Sequence, residues 1–227
     1  MKRFYKTVAV GGDNAILLDG RTVKTPAGAP LAPPSRALAE AVADEWRRQG
    51  DKVVPASMPL TKLANTAIDQ VPRHREALIK ELTGFGGADL LSYRAEEGAL
   101  AARQAAQWDE LLDWANETLD AHLSVTTGLV HVPQPPETLA AFARVLAAQD
   151  DWTLSALQTL TTITGSLVLA LAVAAGELTT AEAFALSRLD EDYQAEKWGE
   201  DHEARKRADA LAAELDSAGK FIALARA

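Results

Sequence analysis

The residues from Leu189 to Asp201 combine carboxylates, an amide and two aromatic rings in a run that is typical of a helix. At 100° per residue, one stripe of this helix consists of Leu186, Leu189 and Tyr193. The flank of the stripe carries Asp190, Gln194, Trp198 and Asp201. An edge that is both acidic and apolar favours recognition of another protein over catalysis, and the alternative is a solvated face with one Trp at its border.

Glu182 has two possible roles. The segment from Thr179 to Glu182 matches the capping box, in which the Glu side chain accepts a hydrogen bond from the N-cap amide. At helical spacing Glu182 also falls on the stripe that contains Leu186. A carboxylate beside an apolar groove can bind amides or Arg of a partner. The two roles are compatible, and both stay open.

The alternative to a protein-binding function is an enzyme that uses a carboxylate cluster near Glu182, Asp190 and Glu191. Its reaction would be metal-assisted hydrolysis. The candidate metal ligands are Asp190, Glu200, His202 and Glu203. Adjacent acids on a helix point in different directions, however, and no His-x-x-x-His pair, phosphate-binding glycine loop or nucleophile motif accompanies them. The sequence therefore favours a protein that is not an enzyme and holds no cofactor or metal.

Composition excludes several classes of binding partner. The 227 residues are 48% hydrophobic and carry a net charge of −9, which speaks against nucleic acid or an anionic membrane as the main partner. Cysteine is absent, so disulfides and thiolate sites are excluded. The uncharged run from Trp152 to Gly176 is continuously apolar only from Leu167 to Ala175, too short to span a bilayer. No membrane insertion is expected.

The first part of the chain predicts β structure. Short β-prone runs flank Asp19-Gly20, a pair that favours a type I′ hairpin turn. Ser35 is a candidate N-cap for a helix in which Leu38, Val42 and Trp46 recur at four-residue steps. A second helix follows Met58.

Beyond Arg73 the pattern predicts helices near residues 73–83, 100–123, 136–148, 152–175 and 179–217. Gly84-Phe85-Gly86-Gly87 is interpreted as a connector, and Gly165-Ser166 as lying inside the apolar helix. Asp89 and Arg94 could form a buried ion pair, or Tyr93-Arg94 could be a surface recognition pair. The predicted fold class is α+β: a small N-terminal domain (1–72) with β-hairpins and one or two helices, then a larger all-helical domain (73–227).

Nine segments in order resemble a known family. They are Arg3-Phe4-Tyr5-Lys6, residues 16–21, 24–28, Glu45-Trp46, 58–61, 89–95, Trp108-Asp109, 165–170 and the run from Leu189 to Gly199. The family is that of F1-ATPase assembly chaperones acting on the F1 α subunit (mitochondrial ATP synthase assembly factor 2 type), and the similarity covers residues 3 to about 222.

The resemblance implies binding to the unassembled F1 α subunit, whose exposed interface is shielded until the β subunit replaces the chaperone. It implies no catalysis and no ATP site. Mitochondrial members carry a presequence, and this chain begins at the first family motif, so a bacterial member acting in the cytoplasm is expected. The free protein is expected to be a monomer. The family's C-terminal motif region implies four partner-binding residues: Glu182, Glu191, Gln194 and Trp198.

Overall fold

The computed structural model describes residues 1–96, 98–128, 131–199 and 201–227. Within these ranges the chain forms two compact units. Unit 1 comprises Met1–Arg75, Asp150–Ala156 and Ser217–Ala227, and unit 2 comprises Glu76–Gln149 and Leu157–Asp216. The predicted domains, 1–72 and 73–227, stay a prediction, because compact packing does not by itself show which parts fold independently. Glu200, considered above as a metal ligand, lies outside the described residues.

A three-stranded antiparallel sheet opens unit 1, with β1 at Val8–Val10, β2 at Ile16–Leu18 and β3 at Arg21–Thr22. Asp19 and Gly20 connect β2 to β3 with φ values of 48° and 78°. Positive φ at both central residues is the requirement of a type I′ turn, so the hairpin prediction is confirmed. The Asp19 carboxylate also accepts the Thr7 amide at 2.8 Å, which lowers its pKa.

Two helices complete the first part of unit 1: α1 at Arg36–Arg47 and α2 at Pro59–Asp69. Ser35 is the N-cap of α1, as predicted, and its side chain accepts the Leu38 amide at 3.0 Å. Buried Glu45 in α1 accepts the Leu60 and Thr61 amides, both at 2.8 Å. Since these amides belong to the first turn of α2, one carboxylate fixes the start of α2 against α1.

The remaining described helices begin and end as follows: α3 Val71–Gly87, α4 Gly98–Leu119, α5 Pro136–Ala147, α6 Asp151–Thr164, α7 Leu167–Ala175, α8 Thr180–Ser187, α9 Leu189–Trp198 and α10 His202–Ala225. Two short strands, β4 at Tyr93–Arg94 and β5 at Thr126–Thr127, pair in parallel. The predicted α+β class is confirmed. The helical part differs from an all-helical one by this strand pair, which is too short to produce an alternating pattern.

The prediction of a single helix over 152–175 is wrong, because the segment forms two helices. Gly165 adopts a left-handed φ of 67° and separates α6 from α7. Ser166 is the N-cap of α7, with its side chain accepting the Leu169 amide at 3.0 Å, and is not a packing residue inside a helix. Helix α7 itself is buried at almost every position, consistent with its apolar sequence. No helix in the described ranges is long and apolar enough to cross a membrane.

Arg94 is buried, and its ion pair is with Asp109 at 2.9 Å. Its guanidinium also lies 5.2 Å from the ring centroid of Trp108, which is itself buried. The predicted Asp89–Arg94 tie and the surface Tyr93-Arg94 pair are therefore both wrong. Asp89 binds the start of α7 instead, accepting the Ser166 hydroxyl at 2.7 Å.

Gly86 lies inside α3, so the predicted connector at residues 84–87 is also wrong. A Cβ at Gly86 would lie 2.6 Å from Phe142 Cδ2, whereas one at Gly84 would meet nothing within 4 Å. We expect Gly86→Ala to lower the free energy of unfolding by about 1–3 kcal/mol through overpacking. The matched variant Gly84→Ala should raise it by roughly 0.5–1 kcal/mol, because Ala favours the helix. Chemical denaturation of both variants tests this, and equal effects would contradict close packing at Gly86.

Candidate functional site

Helix α8 begins with the predicted capping box. The Thr179 amide and hydroxyl donate to Glu182 Oε2 at 2.8 and 2.7 Å, and the Glu182 amide donates back to Thr179 Oγ1 at 3.2 Å. These hydrogen bonds lower the pKa of Glu182. The capping role of Glu182 is confirmed, and its docking role stays a prediction.

The predicted single helix over 179–217 is divided into three. Arg188 leaves helical geometry (φ −107°, ψ 13°) between α8 and α9, and Gly199 has a φ of 89° after α9. The stripe predicted to join Glu182, Leu186, Leu189 and Tyr193 therefore crosses a helix boundary and is not one helical face. Within α9 the flank of Asp190, Gln194 and Trp198 is preserved, because these residues belong to the same helix.

One face of α9 is attached to α4. Asp190 Oδ1 accepts the side-chain amide of Gln104 at 2.7 Å, and Gln104 is fully buried. Arg103 donates to both carboxylate oxygens of Glu196 at 2.8 and 2.9 Å, and this pairing lowers the pKa of Glu196. The Arg103 guanidinium also lies 5.3 Å from the centroid of Tyr193. These contacts fix the orientation of α9 within unit 2.

Helix α9 also borders a groove that it shares with the first half of α10, and Asp190 lies between this groove and the contact with α4. This α9–α10 groove has a volume of about 590 Å³. Its lining residues are Arg188, Asp190, Glu191, Asp192, Gln194, Ala195, Trp198, Gly199, Asp201, Ala204, Arg205, Arg207, Ala208 and Leu211. Three of the four predicted partner-binding residues, Glu191, Gln194 and Trp198, thus come together here. Glu182 is not among the lining residues.

Trp198 is the dominant exposed side chain of the groove. It is 84% exposed, and its indole N–H donates to Gln194 Oε1 at 3.1 Å. Leu211, on the α10 side, is 38% exposed. Both are large apolar side chains in contact with water, and such groups on one surface indicate a protein interaction site.

Charges of both signs surround these apolar groups. The acids are Asp190, Glu191, Asp192 and Asp201, and the bases are Arg188, Arg205 and Arg207. Two of their ion pairs are long: Arg207 is 4.0 Å from Asp201, and Arg188 is 3.7 Å from Asp192. The groove can therefore contact apolar side chains and ionic groups of either sign.

The sequence argument missed the contribution of α10, including Arg205 and Arg207, and it also missed Arg188 at the start of α9. A signal was present: Ala204, Ala208 and Leu211 recur at spacings of four and three in a stretch rich in charged residues. That spacing predicts a narrow apolar stripe, which here faces the groove. Asp201 also accepts the Ala204 amide at 3.2 Å and so caps the start of this helix.

Two of the three carboxylates of the rival enzyme hypothesis have other partners. Glu182 accepts hydrogen bonds within its own cap, and Asp190 accepts one from Gln104. Among the described residues, no group of three or more His, Cys, Asp or Glu side chains is arranged to hold a metal ion. The arrangement thus resembles a recognition surface more than a set of convergent acids and bases.

Comparison with known proteins supports a single family. The family model of ATP12 chaperone proteins matches residues 2–116. Mitochondrial protein atp12 of Schizosaccharomyces pombe is 30% identical over 214 residues, covering 87% of this chain and 74% of that protein.

Two crystal structures are similar over nearly the whole chain. Atp12 from Paracoccus denitrificans is 42% identical with a TM-score of 0.93, and the match covers 99% of this chain and 98% of that one. The Atu1473 protein of Agrobacterium tumefaciens, described as a putative chaperone, is 45% identical with a TM-score of 0.91, covering 97% and 85% of the two chains. At these identities the likeness extends beyond the fold to the family.

Proposed function

This chain belongs to the ATP12 chaperone family, and on that premise we propose that it is a non-enzymatic chaperone of F1-ATPase assembly. Its client is the unassembled F1 α subunit. The chaperone shields the subunit interface of this client until the F1 β subunit replaces it. The proposed localisation is the bacterial cytoplasm, which the similarity to two bacterial relatives supports.

The observation that carries this proposal is the pair of exposed apolar side chains that line the α9–α10 groove. Trp198 and Leu211 lie in contact with water although their burial would be favourable by the ordinary hydrophobic effect. A subunit of an obligate complex, when unassembled, exposes a large and partly apolar interface. Contact between the two surfaces removes both from water, which suppresses aggregation of the client.

The charged rim accounts for the reversibility that a chaperone needs. Ionic groups at the edge of an interface are hydrated before binding, so their net contribution to affinity is small. They select the partner and accelerate association while the apolar side chains of the groove supply most of the affinity. The interface then remains weak enough for a competing subunit to displace the chaperone.

The rival reading as an enzyme, with metal-assisted hydrolysis near Glu182, Asp190 and Glu191, finds less support. That chemistry requires carboxylates that converge on one reacting atom. Glu182 is the capping residue of α8 and Glu191 lines the α9–α10 groove, on another helix. Neither a nucleic-acid nor a membrane role is proposed, and the free protein is proposed to be a monomer.

We expect the protein to suppress aggregation of its client stoichiometrically. Purified F1 α subunit is diluted from denaturant with increasing amounts of this chain, without nucleotide, and light scattering is followed. Scattering should fall to a minimum near one chaperone per client, with a complex visible by size-exclusion chromatography. F1 β subunit treated in the same way is the matched control. Equal suppression of both subunits, or none of either, would refute the α subunit as the specific client.

A further inference from the structure

Unit 1 has a groove of its own beside the β2–β3 hairpin. This hairpin groove has a volume of about 640 Å³, and its walls come from the start of the chain, the hairpin and α1. Its apolar lining residues include Phe4, Tyr5, Leu18, Val23 and Trp46. None of them lines the α9–α10 groove, so the hairpin groove is a separate candidate site.

The aromatic side chains give the hairpin groove a preformed apolar surface. Phe4 is 62% exposed, although its ring packs edge-on against Tyr5 with the two centroids 5.4 Å apart. Tyr5 is buried, and its hydroxyl donates to the Trp46 carbonyl at 2.7 Å. Half-buried Trp46 and Val23 pack against the same core as Tyr5. A large apolar side chain that this packing holds in water indicates a contact surface.

Two basic side chains line the hairpin groove without a partner of their own. Arg21 and Lys24 are exposed, and among the described residues neither side chain makes a hydrogen bond or an ion pair. An acid, Asp19, also lines the groove, but its carboxylate already accepts the Lys6 and Thr7 amides and the Thr7 hydroxyl. The groove therefore presents two cations beside its apolar surface.

The charge of unit 1 is opposite in sign to that of the whole chain. Lys and Arg outnumber Asp and Glu in unit 1, whereas the chain has 23 of the former and 32 of the latter. A basic unit attracts acidic partners and accelerates their association. Charge complementarity thus selects an acidic partner for the hairpin groove.

We propose that the hairpin groove binds an extended, acidic segment of a partner protein in which carboxylates flank large apolar side chains. The apolar side chains contact Phe4 and Trp46, and the carboxylates pair with Arg21 and Lys24. Strand β3 lies at the edge of its sheet, so an extended segment can also hydrogen-bond to its backbone. Nucleic acid fits less well, because the net charge of −9 repels a polyanion. The proposal does not depend on the F1 α subunit being the client.

The test uses the synthetic peptide acetyl-Gly-Asp-Phe-Glu-Leu-Asp-Gly-amide. Indole N–H signals of the ¹⁵N-labelled full chain are followed by NMR, and Trp46→Phe and Trp198→Phe identify two of them. We expect a saturable shift of the Trp46 signal with a Kd on the order of 0.1–1 mM, and a Trp198 signal that does not move. Peptides with Asn and Gln in place of the acids, or Ser in place of Phe and Leu, should bind about fivefold more weakly or less. No saturable shift at Trp46, equal shifts of both signals, or equal binding of the neutral peptide would overturn the proposal.

A charge swap separates ionic recognition from a change of fold. Arg21→Glu/Lys24→Glu should weaken binding of the acidic peptide by about tenfold or more and should bind the peptide with Lys in place of each acid. Its thermal midpoint should stay within about 2 °C of wild type, since both side chains are exposed and unpaired. The matched control, Arg73→Glu/Lys220→Glu, changes the net charge equally at exposed positions of unit 1 that do not line the groove. Equal losses in the two variants would reduce the effect to net charge and overturn the proposal.

Two other occupants have outcomes of their own. An octathymidylate DNA that shifts the Trp46 signal with a lower Kd than the acidic peptide would assign the groove to nucleic acid and overturn the proposal. Analytical ultracentrifugation tests a second copy of the chain, and we expect wild type to sediment as a monomer. A dimer that Arg21→Glu/Lys24→Glu converts to monomer would assign the groove to self-association and overturn the proposal as well.

Discussion

Replacing Trp198 with Ala should weaken client binding by about thirtyfold or more, since an aromatic residue that anchors a protein interface typically contributes at least 2 kcal/mol. The stability of the folded protein should change little. Trp198 is 84% exposed, and its side-chain hydrogen bond goes to Gln194, another exposed residue. Truncation of this exposed side chain would therefore create almost no buried cavity.

Two measurements check this expectation. Binding of labelled F1 α subunit gives the change in affinity, and thermal unfolding gives the change in stability, expected to be within about 0.5 kcal/mol of wild type. Val125→Ala is the matched control, because Val125 is 48% exposed in unit 2 but does not line the α9–α10 groove. Similar affinities for Trp198→Ala and the control would place the client on another surface.

The N-terminal part was predictable because its signals are local. Asp19-Gly20 specifies a turn by its own backbone preferences, and Ser35 specifies a helix start by its side chain. Neither depends on distant parts of the chain. Glu45 shows the limit of this logic: nothing in its neighbourhood indicates that its carboxylate binds amides fifteen and sixteen residues further on.

The helical part was predictable in content but only in some of its breaks: the ends of α5 and α7 were predicted, whereas the breaks at Gly165, Arg188 and Gly199 were not. Gly165 and Gly199 end helices by adopting positive φ, yet Gly84 and Gly86 remain inside α3. A glycine permits both outcomes, and the choice depends on what surrounds it. At Gly86 the nearby Phe142 ring leaves no room for a side chain, a tertiary fact that α3 alone does not contain.

The α9 side of the α9–α10 groove was predictable from the sequence, and the α10 side was not, for a similar reason. The spacing within α9 places Gln194 and Trp198 on one flank, as found. The other lining residues come from α10, which begins at His202 after a helix break at Gly199. Periodicity reports which residues of one helix share a face, and it does not report which second helix faces them.

Asp89 is the residue whose loss should most reduce stability. It is fully buried, and its carboxylate accepts the Ser166 hydroxyl at 2.7 Å and the Leu91 and Val168 amides at 3.1 Å each. Ser166 in turn caps α7, a helix whose N-terminus is buried and has no access to water. The carboxylate therefore satisfies donors that would otherwise be unpaired in the interior.

We expect Asp89→Ala to lower the free energy of unfolding by about 3–5 kcal/mol, because three buried donors lose their acceptor at once. In a protein of this size the thermal midpoint should fall by roughly 10 °C. Urea unfolding and calorimetry measure both quantities. Asp113→Ala, which removes an exposed acid from the same unit, should change the free energy of unfolding by less than about 0.5 kcal/mol. An equally mild effect at Asp89 would mean that the start of α7 is satisfied by other groups.

The same carboxyl group should make stability depend on pH. Burial raises the pKa of Asp89 from its ordinary 3.8 to about 6, in spite of the hydrogen bonds from Ser166 and Val168. The folded state thus binds this proton more tightly than the unfolded state. Protonation of Asp89 therefore adds to the free energy of unfolding. This addition is fully present below pH 4 and is lost as pH rises through 6. Between pH 5 and pH 7.5 wild type should lose about 1.4 kcal/mol relative to Asp89→Asn, which cannot titrate. Acids with a lowered pKa, such as Glu196, make the protein less stable as pH falls, which is the opposite dependence. They are present in both wild type and Asp89→Asn, so the difference between the two free energies of unfolding reports Asp89 alone. A difference that is constant over this range would show that Asp89 keeps one charge state throughout.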